Sequence, residues 1–218
     1  MLAWISIVFG LCSAGEAVLI AWLIEHYFGR HFSLGRFRHA LGFFAAAIVG
    51  AAGAAGGAAL VKLIANPNQS IWTNWQYWFS SDLVGLFAVA PFLIGLVAAV
   101  RSPPPRRELV EGASAVVAIG LTTGAIIALL PQAWWEMCLL VAALFPLLIW
   151  PAARCRPVFV SAAVFAVSGL VVLALTFDIG HFNTAHQPLD ELAMNAHLTI
   201  VGVAFCALIL AWVFAARA

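Results

Sequence analysis

Residues 157–177 read PVFVSAAVFAVSGLVVLALTF, a stretch with no charged side chain. A helix of about 20 apolar residues crosses the hydrocarbon core of a bilayer, and this run is that long. Runs of the same character lie near 2–27, 40–64, 81–100, 109–130, 134–153 and 192–215, which makes about seven spans. Composition agrees: 65% of residues are hydrophobic, 9% are charged and the mean hydropathy is +1.05, too little polar surface to cover a soluble globule. In hydrocarbon an unpaired backbone amide is costly, so only helices and closed barrels span. The runs are continuous rather than alternating, which argues against a barrel. The predicted fold is an all-α polytopic transmembrane helical bundle, a single membrane domain over residues 1–218 with the lipid bilayer as its solvent.

The connections predict the orientation. Arg30, Arg36 and Arg38 lie between the first two spans, Arg101, Arg106 and Arg107 between the third and fourth, and Arg154 and Arg156 between the fifth and sixth. With Arg217 they leave Lys62 as the one basic residue of ten on the other side. By the positive-inside rule the arginine side is the cytoplasm, which gives an N-out, C-in topology in a bacterial inner membrane. An outside N-terminus without a leader suggests that the natural protein carries further spans upstream. Pro103-Pro104-Pro105 stiffens one short inner loop. A net charge of +1 without a basic stripe gives no support to nucleic-acid binding.

Cys12, Cys138, Cys155 and Cys206 have no C-x-x-C spacing and are expected to be small core residues rather than a disulfide framework or a metal cage. In the second span, Gly53-x-x-x-Gly57 lets two helix backbones approach, either within the bundle or at a homodimer seam. Pro91, Pro146 and Pro151 fall within spans and should kink them. Asp82 opens the predicted third span, where a carboxylate would cap free amides.

Intramembrane ionisable groups are costly and mark candidate sites. Glu16, midway along the first span, and His197, two turns inside the last, are such groups; for Glu16 the plainer reading is a protonated carboxyl bonded to a neighbouring helix. Trp72, Trp75 and Trp78, three apart on one helical stripe, form either an interfacial aromatic belt or a ligand-facing wall. The outer loop 178–191 carries Asp178, His181, His186, Asp190 and Glu191, of which the first three could hold a single metal, although solvated loop is the simpler reading. His26, His31 and His39 lie on the opposite side, so paired haem ligands are not expected. No Ser/His/Asp set, paired carboxylates or zinc signature converges on one side, so neither a catalytic site nor a cofactor is expected.

The run from Trp72 to Leu96, WTNWQYWFSSDLVGLFAVAPFLIGL, resembles the type-1 membrane-associated sensor (MASE) domain family, on Trp75, Trp78, Asp82, Gly85 and Pro91. Supporting pieces are Gly15-Glu16-Ala17, Ala21-Trp22-Leu23-Ile24, FPLLIWPAAR at 145–154 and Asp178-Ile179-Gly180. The resemblance covers about residues 5–217. It implies a sensory input module for a histidine kinase, diguanylate cyclase or phosphodiesterase, that is, two-component or cyclic di-GMP signalling. The candidate signal-binding residues are Glu16, Trp72, Trp75, Trp78, Asp82 and His197, with structural roles expected for Gly53, Gly57, Gly85 and Pro91; the resemblance also implies a cytoplasmic output domain or a partner kinase or cyclase. Family members usually begin earlier, so the chain resembles an N-terminally truncated member. A small multi-span transporter is the rival reading, motivated by Glu16, the prolines and the glycine-rich span, although no inverted repeat is evident.

Overall fold

A computed structural model describes residues 2–29, 36–65, 70–129, 136–177 and 189–215, with positions 32, 34 and 179; the side chains of 2–4, 136–141 and 189–191 are outside the description. All regular structure among these residues is helical: α1 (Leu2–Phe28), α2 (Phe37–Ala65), α3 (Ile71–Val84), α4 (Ala90–Arg101), α5 (Arg106–Leu129), α6 (Glu136–Arg154), α7 (Pro157–Thr176) and α8 (Leu189–Ala215), with a π-helical turn, Gly85–Val89, joining α3 to α4. Six helices meet the length and hydropathy of a membrane span, α3, the π turn and α4 counting as one from Ile71 to Arg101; α6 contributes a shorter apolar stretch, Ala142–Arg154. This is the expected all-α bundle of about seven spans. The chain divides into two compact units, Met1–Leu86 and Phe87–Ala218.

In the first unit, α1 and α3 both pack on α2. Helix α1 ends where Gly29 takes φ +68°, the left-handed conformation that stops a helix and that glycine adopts without a Cβ penalty. The face of α2 is built from small residues, Ala47, Ala51, Ala54, Ala55 and Ala58 all being buried. Its close approach to α1 uses Gly50 and Gly57: a Cβ on Gly50 would lie 2.5 Å from Ile20 Cγ1, and one on Gly57 2.8 Å from Cys12 Sγ. A Cβ on Gly53 would meet nothing within 4 Å. Gly42 likewise has no room for a Cβ beside the Phe28 ring at the end of α1, so the seam within this unit runs through Gly42, Gly50 and Gly57, about two turns apart, and not through the expected Gly53.

The third span differs from expectation at its start. The tryptophan-bearing segment is not a connection before a span opening at 81; it is the first half of the span, entered at Ser70, whose side chain accepts a hydrogen bond from Thr73 N at 3.4 Å. Ser70 thus supplies the cap expected of Asp82, which instead sits three turns inside the helix. Gly85 begins the π turn, with nothing within 4 Å of its would-be Cβ. Pro91 stands in the first turn of α4 just after it. Proline lacks an N–H and its ring crowds the carbonyl four residues back, so a wider turn before it relieves a conflict that an unbroken α-helix would retain. Pro146 and Pro151 are carried inside α6.

In the second unit α7 is the central element, packed by α4, α5, α6 and α8. Phe159, Val160, Ala163, Val164, Val167 and Val171 are buried along it. Phe92 stacks on Phe165 at 4.8 Å and Phe87 on Phe205 at 6.3 Å. Of the cysteines, Cys155 is buried, Cys12 is half-buried against Gly57, and Cys206 is exposed. The expectation of a core cysteine thus fails for Cys206, where an apolar lipid surround accepts a thiol as readily as a protein core does.

Candidate functional site

The polar and aromatic groups singled out from the sequence fall into two places. Glu16, Trp72, Trp75, Trp78 and Asp82 belong to the first unit, and His197 belongs to the second. His197 is buried, at 8% exposure, on α8.

The three tryptophans do not share a stripe, because a spacing of three drifts by about 60° at each step around a helix of 3.6 residues per turn. Trp72 stacks on Trp75 at 5.2 Å, and Trp75 on Phe79 at 4.8 Å, with rings nearly parallel. Trp75 also donates its indole N–H to the Ala52 carbonyl of α2 at 3.2 Å, fastening α3 to α2. Trp72 is 60% exposed. Trp78 points elsewhere: its ring lies 4.8 Å from Phe9 of α1. One tryptophan thus faces outward, one secures the helix pair, and one reaches across to α1.

Below the Phe9–Trp78 contact lie the two carboxyl groups. Glu16 is two turns after Phe9 on α1, and Asp82 one turn after Trp78 on α3, so both follow the aromatic contact in the same sense. The Glu16 and Asp82 carboxyls are close enough to act on each other as like charges. Glu16 is set against α2 as well, since a Cβ on Gly50 would lie 3.4 Å from Glu16 Cγ. Two carboxyls far apart in the sequence are thus brought near one another by the fold. No spacing rule joins residues 16 and 82; what was available in the sequence was the unusual acidity of each within an apolar run.

Two buried side-chain polar atoms among the described residues have no hydrogen-bond partner: Glu16 Oε1 and Trp78 Nε1. Buried polar groups are nearly always paired, and an unpaired one costs about 1–3 kcal/mol. An acceptor on α1 and a donor on α3, both without a partner among the described residues, place the unsatisfied buried polarity in this three-helix unit. A Cβ on Gly53 or Gly85 would meet nothing within 4 Å, and Pro91 belongs to the second unit. Asp178, His181 and His186 lie outside the described residues, as do the side chains of Asp190 and Glu191.

A multi-span helical bundle with ionisable and aromatic groups inside it defines an integral membrane domain. Residues 5–217 match the model of one family of such domains, MASE1, and the chain belongs to that family of membrane-associated sensory domains found in signalling receptors. Comparison with curated proteins and with solved structures gave no match.

Proposed function

We propose that this chain is the sensory input module of a bacterial signal-transduction receptor of the histidine kinase or diguanylate cyclase and phosphodiesterase type, seated in the inner membrane with its arginine-rich side in the cytoplasm. The module senses a ligand or membrane partner at the Glu16–Trp78–Asp82 region and passes a change of helix packing to a cytoplasmic output domain or partner. The observation that carries this reading is the orphaned pair, Glu16 Oε1 and Trp78 Nε1, beside a second carboxyl. A structural scaffold gains nothing from burying unpaired polar atoms, whereas a group that pairs with them in one packing and not in another has the differential affinity that shifts an equilibrium. Family membership over residues 5–217 supports the signalling role.

The test replaces Glu16→Gln, Trp78→Phe and Asp82→Asn singly in the intact receptor in its source cell and measures output together with membrane abundance. Altered output at unchanged abundance is the expected result. Unchanged output from all three would discard this site. Purified chain in proteoliposomes separates the reading from that of a small transporter, which would show solute or proton-coupled flux where a sensor shows none.

A further inference from the structure

At one end of the second unit, the charges sort into paired and unpaired sets. Arg156 donates its backbone N–H to Glu108 Oε1 at 2.7 Å and holds Glu108 Oε2 at 3.5 Å from its Nε, while its guanidinium donates to the Ser102 carbonyl at 2.7 Å. Arg154 Nε lies 3.0 Å from Glu111 Oε1. Both carboxylates are thereby occupied. The exposed side chains of Arg101, Arg106 and Arg107 make no hydrogen bond or ion pair among the described residues.

These three arginines flank the connection Ser102-Pro103-Pro104-Pro105. Three prolines fix φ through it, and Arg156 grips its two sides at once, Ser102 just after α4 and Glu108 in the first turn of α5. Arg101 and the Arg106-Arg107 pair are therefore presented at a constrained separation, and a constrained site loses less entropy when it closes on an anion. Their depth is equally defined: one membrane span ends at Arg101 and the next begins at Arg106, which sets the guanidiniums at the boundary of the hydrocarbon. On the membrane side of them, Val97 and Val100 of α4 and Leu109 and Val110 of α5 are exposed, Val100 by 75%.

We propose that Arg101, Arg106 and Arg107 form a binding site for the phosphate headgroup of an anionic phospholipid, with the exposed valines and leucine beside them lying along its acyl chains. Guanidinium pairs well with phosphate oxygens, and the apolar skirt selects a lipid over a free phosphate. The salt bridges of Arg154 and Arg156 serve this site indirectly, by removing the two carboxylates that would otherwise neutralise it.

The test uses the full chain in detergent, titrated with an equimolar mixture of phosphatidylglycerol and phosphatidylcholine, with retained lipid counted by native mass spectrometry. Wild type is expected to retain phosphatidylglycerol preferentially. At about five-fold for each arginine near an anionic surface, Arg106→Gln/Arg107→Gln lowers that preference by about 25-fold and Arg101→Gln alone by about five-fold. Arg106→Lys/Arg107→Lys retains most of it. The charge-matched control Arg36→Gln/Arg38→Gln, in the first unit, leaves it nearly intact. Absence of preference in wild type, or equal loss from the control, overturns the proposal. Displacement of phosphatidylglycerol by inorganic phosphate also overturns it, because that outcome describes a free-phosphate site. Because Arg101 and the Arg106-Arg107 pair lie on different helices, misfolding of one variant leaves the other to decide.

Discussion

The two units differ in the buried polarity they leave unsatisfied. In the second unit the hydroxyls inside the bundle turn back on their own helices: Thr123 donates to the Ile119 carbonyl at 2.8 Å, Ser168 to Val164 at 2.8 Å and Ser161 to Val158 at 2.9 Å. Its ionic contacts lie at the ends of helices, where water and headgroups lower their cost. The first unit keeps a carboxyl oxygen and an indole N–H buried without a partner, next to a second carboxyl. Both units have the same apolar solvent, and under the proposed function the unsatisfied groups of the first are those that a ligand or partner would satisfy.

The largest expected effect attacks the stable unit. Leu148 is 1% exposed on α6, and Leu148→Ala removes buried methyl groups and leaves a cavity, at a cost of about 2–5 kcal/mol. Loss of thermal stability in detergent should show it. A substitution of similar severity in the first unit is expected from its glycine seam: Gly50→Val presses a side chain into Ile20 and Glu16 and costs about 1–3 kcal/mol. Gly53→Val, which meets open space, stays within about 0.5 kcal/mol. Equal melting temperatures for these two variants would break the description of the α1–α2 contact.

That pair of glycines shows where sequence reading stops. The glycine run announced close helix packing, but a helical period of 3.6 makes both a four-residue and a seven-residue spacing into a face, and only the partner, with Cys12 and Ile20 at particular heights, selects Gly50 and Gly57. The seven spans were legible because apolar length is a sufficient signal in a membrane. The start of the third span was not, since Asn74, Gln76, Ser80 and Ser81 lower the hydropathy of a segment that is helical throughout; Ser70 followed by aromatic residues at helical intervals was the available cue. Asp82 was misread for the same reason, as a cap on a helix that begins a dozen residues earlier. Individual site residues were visible as polar exceptions in apolar runs. Their convergence was not, because it depends on how α1 and α3 register on α2.

Smaller effects are expected at the ionic end of the second unit. Cys155 is buried there, and burial pushes its thiol above the ordinary range; the carboxylates of Glu111 and Glu108 add to this, against the opposing charge of Arg154. Less thiolate at neutral pH means slow alkylation. In a chain retaining Cys155 as its one cysteine, maleimide labelling should be slow, and Arg156→Gln should accelerate it by loosening the α6–α7 turn, at a stability cost of only about 0.5–1 kcal/mol because the ion pair is half exposed. Labelling as fast as that of a free thiol in wild type would contradict the packing at this turn.

The most direct test of the central claim compares stability with output for Glu16→Gln and Asp82→Asn in the intact receptor. An amide cannot ionise and so carries no cost of burying charge, and each variant should melt at or above the wild-type temperature while its signalling output changes and its response to stimulus is lost. Normal output with an intact fold would contradict the account, and so would a loss of output that merely follows a loss of stability, since the carboxyls would then be parts of the scaffold.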